Sequence, residues 1–275
     1  MSRTRISPYL LTLLGLVVAA VFLVPYAEML LTSMESTAEI NRTPPALIPS
    51  HWDPSSFVTM WHVAPIGAYL TSSAVIAGAS TLIVLLVAVP AAYYSARTEF
   101  RGRRTYLFLV MIAQLLAPVS LVVGLYREFD ALGLLDSYLA LIIINAAFNI
   151  SFAIWLLRSF IASVPVELEE AAWIDGCSRW TALRRIVLPT LRPGLVTVAV
   201  YAFIAAWNEF VVALTLITTE SKKPIQVGIT EFIGQNQVDW QHLFASSLVA
   251  IVPVVVLFTL IERHLVGGLT AGSVK

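Results

Sequence analysis

Glu209 is the one acid set well inside a long apolar run of this chain, with Asn208 beside it. Asn145 and Asn149 stand four apart in another apolar run, so on a helix they share a face. Groups of this kind serve one of two ends. They line a polar passage and hydrogen-bond a solute, or they bond a neighbouring helix or reach the headgroups. Gln114 poses the same choice, and Glu28, close to the end of its run, is read as structural. Other chemistry is sparse. His51, His62, His242 and His264 are scattered, with no His-Glu-x-x-His or comparable cluster, so no metal site is expected. There is no Gly-x4-Gly-Lys-Ser/Thr phosphate loop, no Ser/His/Asp constellation and no pair of carboxylates within the apolar runs. No catalytic residue and no cofactor are therefore expected in this chain. Cys177 is alone, which excludes an internal disulfide.

The elements that must position these groups follow from composition. Of 275 residues, 58% are hydrophobic and 12% charged, where a soluble domain carries about a quarter charged. The apolar residues come in blocks long enough to cross a hydrocarbon core of about 30 Å, which takes roughly 20 residues of helix. Six blocks qualify: 9–31, 69–96, 106–126, 137–157, 194–219 and 243–261. Irregular backbone cannot face lipid, so the fold class is an all-α integral membrane protein with six transmembrane helices, one domain over 1–275. Pro90, Pro118 and Pro253 fall inside helices and should kink them. The first block is too long for a signal-peptide core and no small-x-small site follows promptly, so it is expected to stay. Formal charge is zero, with no signature of nucleic-acid binding.

Charge then orients the bundle. With a cytoplasmic N-terminus, thirteen basic residues lie inside: Arg3, Arg5, Arg97, Arg101, Arg103, Arg104, Arg158, Arg179, Arg184, Arg185, Arg192, Arg263 and Lys275. Four lie outside: Arg42, Arg127, Lys222 and Lys223. The positive-inside rule places both termini in the cytoplasm. Two long outer loops result, 33–68 with Trp52, Trp61 and His62, and 220–242 with Gly228, Gly234 and Trp240.

The longest cytoplasmic segment, 158–193, reads as two short helices. Ser163 is placed to cap the first, whose early turn holds Pro165, Glu167, Glu169 and Glu170, all favoured there. Gly176 supplies the left-handed residue that ends it. Ser178 caps the second, which Pro189 is expected to stop. A compact exposed pair of helices with a glycine elbow is suited to seating in a partner's groove.

Glu170-Ala171-Ala172, three residues, Gly176, nine residues, then Ile186-x-Leu188-Pro189 matches the EAA motif of ABC-importer permeases at its full spacing. Further stretches are similar to the smaller, MalG-like permease of carbohydrate importers. They are Ala91-Ala-Tyr-Tyr-Ser-Ala-Arg97 with Phe100-Arg-Gly-Arg103, Leu132-Gly-Leu-Leu-Asp136, Trp207-Asn-Glu-Phe210, and Gly268-Leu-Thr-Ala-Gly-Ser-Val-Lys275. The likeness covers nearly the whole chain. It implies a type I ABC importer permease fold in the inner (plasma) membrane. The docking residues implied are Glu169, Glu170, Ala171, Ala172, Asp175, Gly176, Ile186, Leu188 and Pro189, with the first short helix as coupling helix in a cleft of the ATP-binding subunit. The tail residues Thr270, Ala271, Gly272, Ser273 and Lys275 would reach the ATPase interface.

The resemblance further implies four partners or sets of partners: a second homologous permease, two copies of an ATP-binding subunit that bind ATP and Mg, an extracytoplasmic solute-binding protein, and membrane lipid. The loop 220–242 would meet the binding protein. Asn145, Asn149, Asn208 and Glu209 are the candidate pathway residues for a sugar or sugar-like solute. The chain departs from the family at Cys177 (usually alanine), at Ser72-Ser73 (commonly Asn-Ser) and at Lys275, where a last glycine is common. The competing class is a secondary transporter driven by an ion gradient. Such proteins show repeats and several intramembrane ionisable groups, whereas this chain has no evident repeat and one such acid.

Overall fold

The structure, a computed structural model, describes residues 8–42, 49–116 and 118–270, without the side chains of Pro8 and 261–270. Fourteen α-helices are named among the described residues. They are α1 (Pro8–Ser33), α2 (Thr37–Ile40), α3 (Ser56–Val63), α4 (Ile66–Arg97), α5 (Arg103–Leu115), α6 (Pro118–Ala131) and α7 (Tyr138–Ser163). Then follow α8 (Glu167–Ile174), α9 (Arg179–Ala182), a wide π-helical turn (Leu183–Val187), α10 (Leu188–Thr190), α11 (Arg192–Trp207) and α12 (Val211–Leu216). Last come α13 (Ile225–Gly228), between two short 3-10 turns, and α14 (Trp240–Thr270).

Four of these, α1, α4, α7 and α14, are each long and apolar enough to cross a bilayer alone. The other two expected spans are not single helices. The third is α5 followed by α6, whose axes differ by 94°. Pro118 is not inside a helix, as expected, but opens α6. That position suits it, because a missing N–H costs nothing in a first turn. The fifth span breaks between α11 and α12 at Asn208, Glu209 and Phe210. Pro90 and Pro253 do lie within α4 and α14.

The chain forms two compact units. Unit 1 holds residues 1–66 and 229–252. Its α1 exposes every residue from Tyr9 to Glu28. A helix apolar on all faces and buried on none belongs in hydrocarbon rather than water. The capping box of α2 (Ser36 with Glu39) and the bond from Ser56 Oγ to the Ser33 carbonyl at 2.6 Å order the long loop. So the loop 33–68, expected on the outer side, is partly helical among its described residues.

Unit 2 holds residues 67–228 and 253–275. Its first core joins Val84, Ala88 and Ala92 of α4, Ala153, Leu157 and Ile161 of α7, and Val198 and Ala202 of α11. Small residues let helices approach closely, which is how helices bind one another where lipid is as apolar as they are. Gly194 shows how closely: a Cβ there would come within 2.7 Å of the Phe160 ring of α7. A second core gathers Ile76, Phe129, Leu141, Ile144, Val212 and Leu216.

Candidate functional site

The segment that leaves α7 turns on Pro165. A residue before proline is pushed out of the helical region, and Val164 is extended (φ −79°, ψ 126°). Ser163 is therefore the last residue of α7, its hydroxyl bonded to the Phe160 carbonyl at 2.7 Å. It does not cap α8, whose N-cap is Val166 without a side-chain bond. Glu167, Glu169 and Glu170 supply the first turn's negative charge instead.

At the other end of α8, Gly176 has φ +85°. Its N–H bonds the Trp173 carbonyl (3.1 Å) and the Cys177 N–H bonds that of Ala172 (2.9 Å). These are the two bonds of a Schellman ending. Ser178 accepts from the Thr181 N–H at 3.2 Å and so caps α9. Arg179 lies over the Trp173 ring, 5.4 Å from its centre, and ties α9 back to α8. Pro189 does not stop this second helix. The chain runs through the π-helical turn, where the Leu188 N–H reaches the Leu183 carbonyl, and continues to Thr190 before turning 79° into α11. The widened turn precedes a residue with no N–H to donate, a place where the α-helical ladder would lose a bond anyway.

The segment is less exposed than its sequence implies. Leu183, Val187 and Leu191 are buried in the core formed by α4, α7 and α11. Glu169 is 0% exposed. Its carboxylate accepts from Arg97 Nε and from the Tyr93 hydroxyl, both at 2.6 Å, while Arg97 Nη2 donates to the Val164 carbonyl at 2.8 Å. Each oxygen of a buried carboxylate is thus satisfied, which burial demands. The expected docking set divides accordingly. Glu170, Ala171, Asp175, Gly176 and Pro189 are exposed, Ile186 and Leu188 are half-buried, and Ala172 and Glu169 face inward. Ile174, 86% exposed, and Trp180 add an apolar outer face.

Three of the four candidate pathway residues meet elsewhere in unit 2. A cavity of about 200 Å³ is lined by Gln114, Asn145, Asn149, Tyr201 and Glu209 among apolar neighbours. The two asparagines are 4% and 8% exposed. Their amide nitrogens bond the carbonyls four residues back, Leu141 and Asn145, at 2.9 and 2.8 Å. Both bonds stay within α7, so among the described residues neither amide joins one helix to another. Glu209 accepts from the N–H groups of Val212 (2.7 Å) and Ala213 (2.9 Å). Phe210, the N-cap of α12, has no polar side chain, and Glu209 does that work for it. Both readings of Glu209 meet here: it is bonded structurally, and it lines the cavity. Asn208 stands apart, its side chain 3.4 Å from that of Gln226.

At the far end of unit 2, Asp136 closes a clasp. It has φ +54°, and its carboxylate accepts from the N–H groups of Thr218 (3.0 Å) and Thr219 (2.9 Å), the Thr219 hydroxyl (2.6 Å) and Lys222 (2.9 Å). Desolvation raises its pKa, yet the bonds from Thr219, Lys222 and Thr218 outweigh this and hold the carboxyl well below the usual carboxylate range. Ser72 and Ser73, where the chain departs from the family pattern, bond Tyr138 (2.7 Å) and the Ile225 N–H (2.8 Å). In unit 1, His242 joins Asp239 (2.5 Å) to Thr59 (2.8 Å). The Thr59 hydroxyl also lies 3.0 Å from the Ser55 carbonyl one turn back. These bonds make the trio a strut between α3 and α14.

Tyr93, Arg97 and Asp136 carry roles that reasoning on sequence did not give them. The signal for the first two was present only in part: they are four apart at a helix end and share a face. Of the tail residues, Thr270 ends α14, and Ala271, Gly272, Ser273 and Lys275 lie outside the described residues.

Comparisons with known proteins agree on one family. Residues 79–269 match the binding-protein-dependent transport system inner membrane component. A probable ABC transporter permease of Sinorhizobium fredii is 38% identical over 96% of this chain and 94% of its own length. The diacetylchitobiose uptake permease NgcG of Streptomyces coelicolor is 34% identical over 94% of this chain and 85% of its own. The trehalose/maltose permease MalG of Thermococcus litoralis is 36% identical over 76% of this chain and 75% of its own. The fold matches a chain of a bacterial ABC transporter that imports alginate, with TM-score 0.79 at 23% identity, covering 96% of this chain and 98% of that one. A match over most of the chain, at these identities, displaces the ion-driven alternative. The chain belongs to the binding-protein-dependent transport system inner membrane component family, as a multi-pass membrane permease.

Proposed function

We propose that this chain is one of two homologous membrane subunits of an ATP-driven importer for a sugar or sugar-like solute. The observation that carries the proposal is the mounting of α8. Its inner face is fixed to the end of α4 by Glu169, Arg97 and Tyr93, and its outer face leaves Glu170, Ala171 and Ile174 free. A helix so held transmits a push. Two ATP-binding subunits, which bind ATP and Mg, drive α8 as they close. The buried Leu183, Val187 and Leu191 carry that displacement into α4, α7 and α11 as a rigid body.

The passage for solute is shared with the second permease, and the cavity between α5, α7 and α11 is this chain's part of it. Amide and carboxylate oxygens there suit hydroxyl donors, and the Tyr201 ring suits the apolar face of a pyranose. Relatives named for diacetylchitobiose and for trehalose/maltose support the same substrate class. Both termini lie in the cytoplasm of the inner membrane, the tail from Thr270 to Lys275 meets the ATPase interface, and the loop 220–242 meets the solute-binding protein.

Purification of the tagged chain in mild detergent, followed by reconstitution with its binding protein, tests the reading. The expected result is a co-purifying ATPase and second permease, with uptake that needs ATP. A lone protein with proton-driven uptake would overturn it.

A further inference from the structure

The geometry points to a binding site for the phosphate of an anionic phospholipid in the basic pocket between the start of α5 and the last turns of α7. The pocket, about 610 Å³, is lined by Glu99, Gly102, Arg103, Arg104, Leu107 and Arg158 among others. Three guanidiniums face one carboxylate. None of the three belongs to an ion pair among the described residues, and Glu99 does not pair with them. Arg158 Nε is buried without a hydrogen-bond partner. A buried cationic donor is the costliest kind to leave unmade, and an anionic oxygen is its natural complement.

Two further features fit that ligand. Gly102, at φ +91°, precedes α5 without a side chain to cap it; the Arg103 N–H turns back to the Phe100 carbonyl at 3.2 Å, which leaves those of Arg104 and Thr105 at the open end of a thirteen-residue helix. The pocket also adjoins an apolar surface. Leu107 lines it, and Met111 and Leu115, four and eight residues on and so on the same side of α5, are more than half exposed. A free phosphate needs only the basic end. A phospholipid needs both, with its headgroup at the interface among the arginines and its acyl chains along α5, which is the arrangement found here. The pocket lies at the end of unit 2 where α7 leads into α8, so the lipid belongs to the leaflet on that side.

Native mass spectrometry of the full chain, released from nanodiscs of phosphatidylglycerol or of phosphatidylcholine, tests the assignment. The wild type is expected to retain phosphatidylglycerol and not phosphatidylcholine. Arg158→Gln and Arg104→Gln should each weaken retention by about tenfold or more, the loss of a charge-assisted bond to phosphate. Arg158→Lys should stay closer to wild type, and inorganic phosphate should not displace the lipid. Arg104 is exposed at the rim, so Arg104→Gln decides the matter if Arg158→Gln fails to fold. Undiminished retention in Arg104→Gln, equal retention of phosphatidylcholine, or displacement by inorganic phosphate would overturn the proposal.

Discussion

Arg97 Nε and the Glu169 carboxylate lie 2.6 Å apart, with side chains 8% and 0% exposed. The pair joins the membrane-spanning helix α4 to α8, the first helix of the proposed docking segment. It makes the glutamate-rich first turn of α8 two things at once, an inward anchor at Glu169 and an outward surface at Glu170.

The two acids should therefore separate by experiment. Glu169→Ala strands Arg97 in a dry site, and removing one partner of such a pair costs about 3–5 kcal/mol. Thermal unfolding of the purified assembly is expected to show a large drop. Glu170→Ala, at an exposed position, should leave the unfolding midpoint within about 1 °C, since surface changes stay within ±0.5 kcal/mol. It should still lower uptake-linked ATP hydrolysis.

Gly176→Val is a test of the elbow alone. Nothing lies within 4 Å of where its Cβ would stand, so the change brings backbone strain without a clash. With φ at +85° that strain is roughly 1–2 kcal/mol for a residue with a Cβ. The variant is expected in the membrane at normal abundance, with ATP hydrolysis uncoupled from uptake. Gly176→Asn, which tolerates left-handed backbone better, should retain more coupling. Equal uptake in wild type and Gly176→Val would refute the role of the elbow.

Glu209 and Asn145 should differ in what they cost. Glu209→Ala leaves the N–H groups of Val212 and Ala213 without their acceptor, a loss comparable to that of an N-cap, about 0.5–2 kcal/mol. Asn145→Ala removes a side chain whose one bond is within its own helix. Its expected signature is weaker apparent affinity in uptake with little change in the unfolding midpoint.

Asp136 gives a pH prediction. Its carboxyl titrates lower in the folded chain than in the unfolded one. Its stabilising contribution is thus fully present above the unfolded value, about 3.9, and fades only as pH falls through the lower folded value. Protection of the 216–222 backbone in hydrogen exchange should therefore be flat from about pH 5 to 8 as far as this group is concerned. Asp136→Ala, which loses the bonds to Thr218, Thr219 and Lys222 and keeps a Cβ at positive φ, should expose that backbone. Asp136→Asn should lie between the two, because asparagine keeps an acceptor and tolerates the conformation.

Much of this protein is written locally. Blocks of apolar residues place α1, α4, α7 and α14, because crossing hydrocarbon is a requirement on a single helix and needs no partner to be legible. The glycine elbow and the Ser178 cap are equally local, and each lies where its residue type alone predicts. What only the tertiary structure decided depends on residues distant in sequence. Glu169 turns inward because Arg97 waits 72 positions earlier, and Asp136 finds Thr219 83 positions later. The break at Glu209 is of the same kind. An acid within an apolar run reads as a flaw in one helix until the chain stops there and starts another, whose free N–H groups the carboxylate then holds. Periodicity and propensity report what a segment prefers by itself. Which buried polar group meets which is settled only when the segments close on one another and every such group must find a partner.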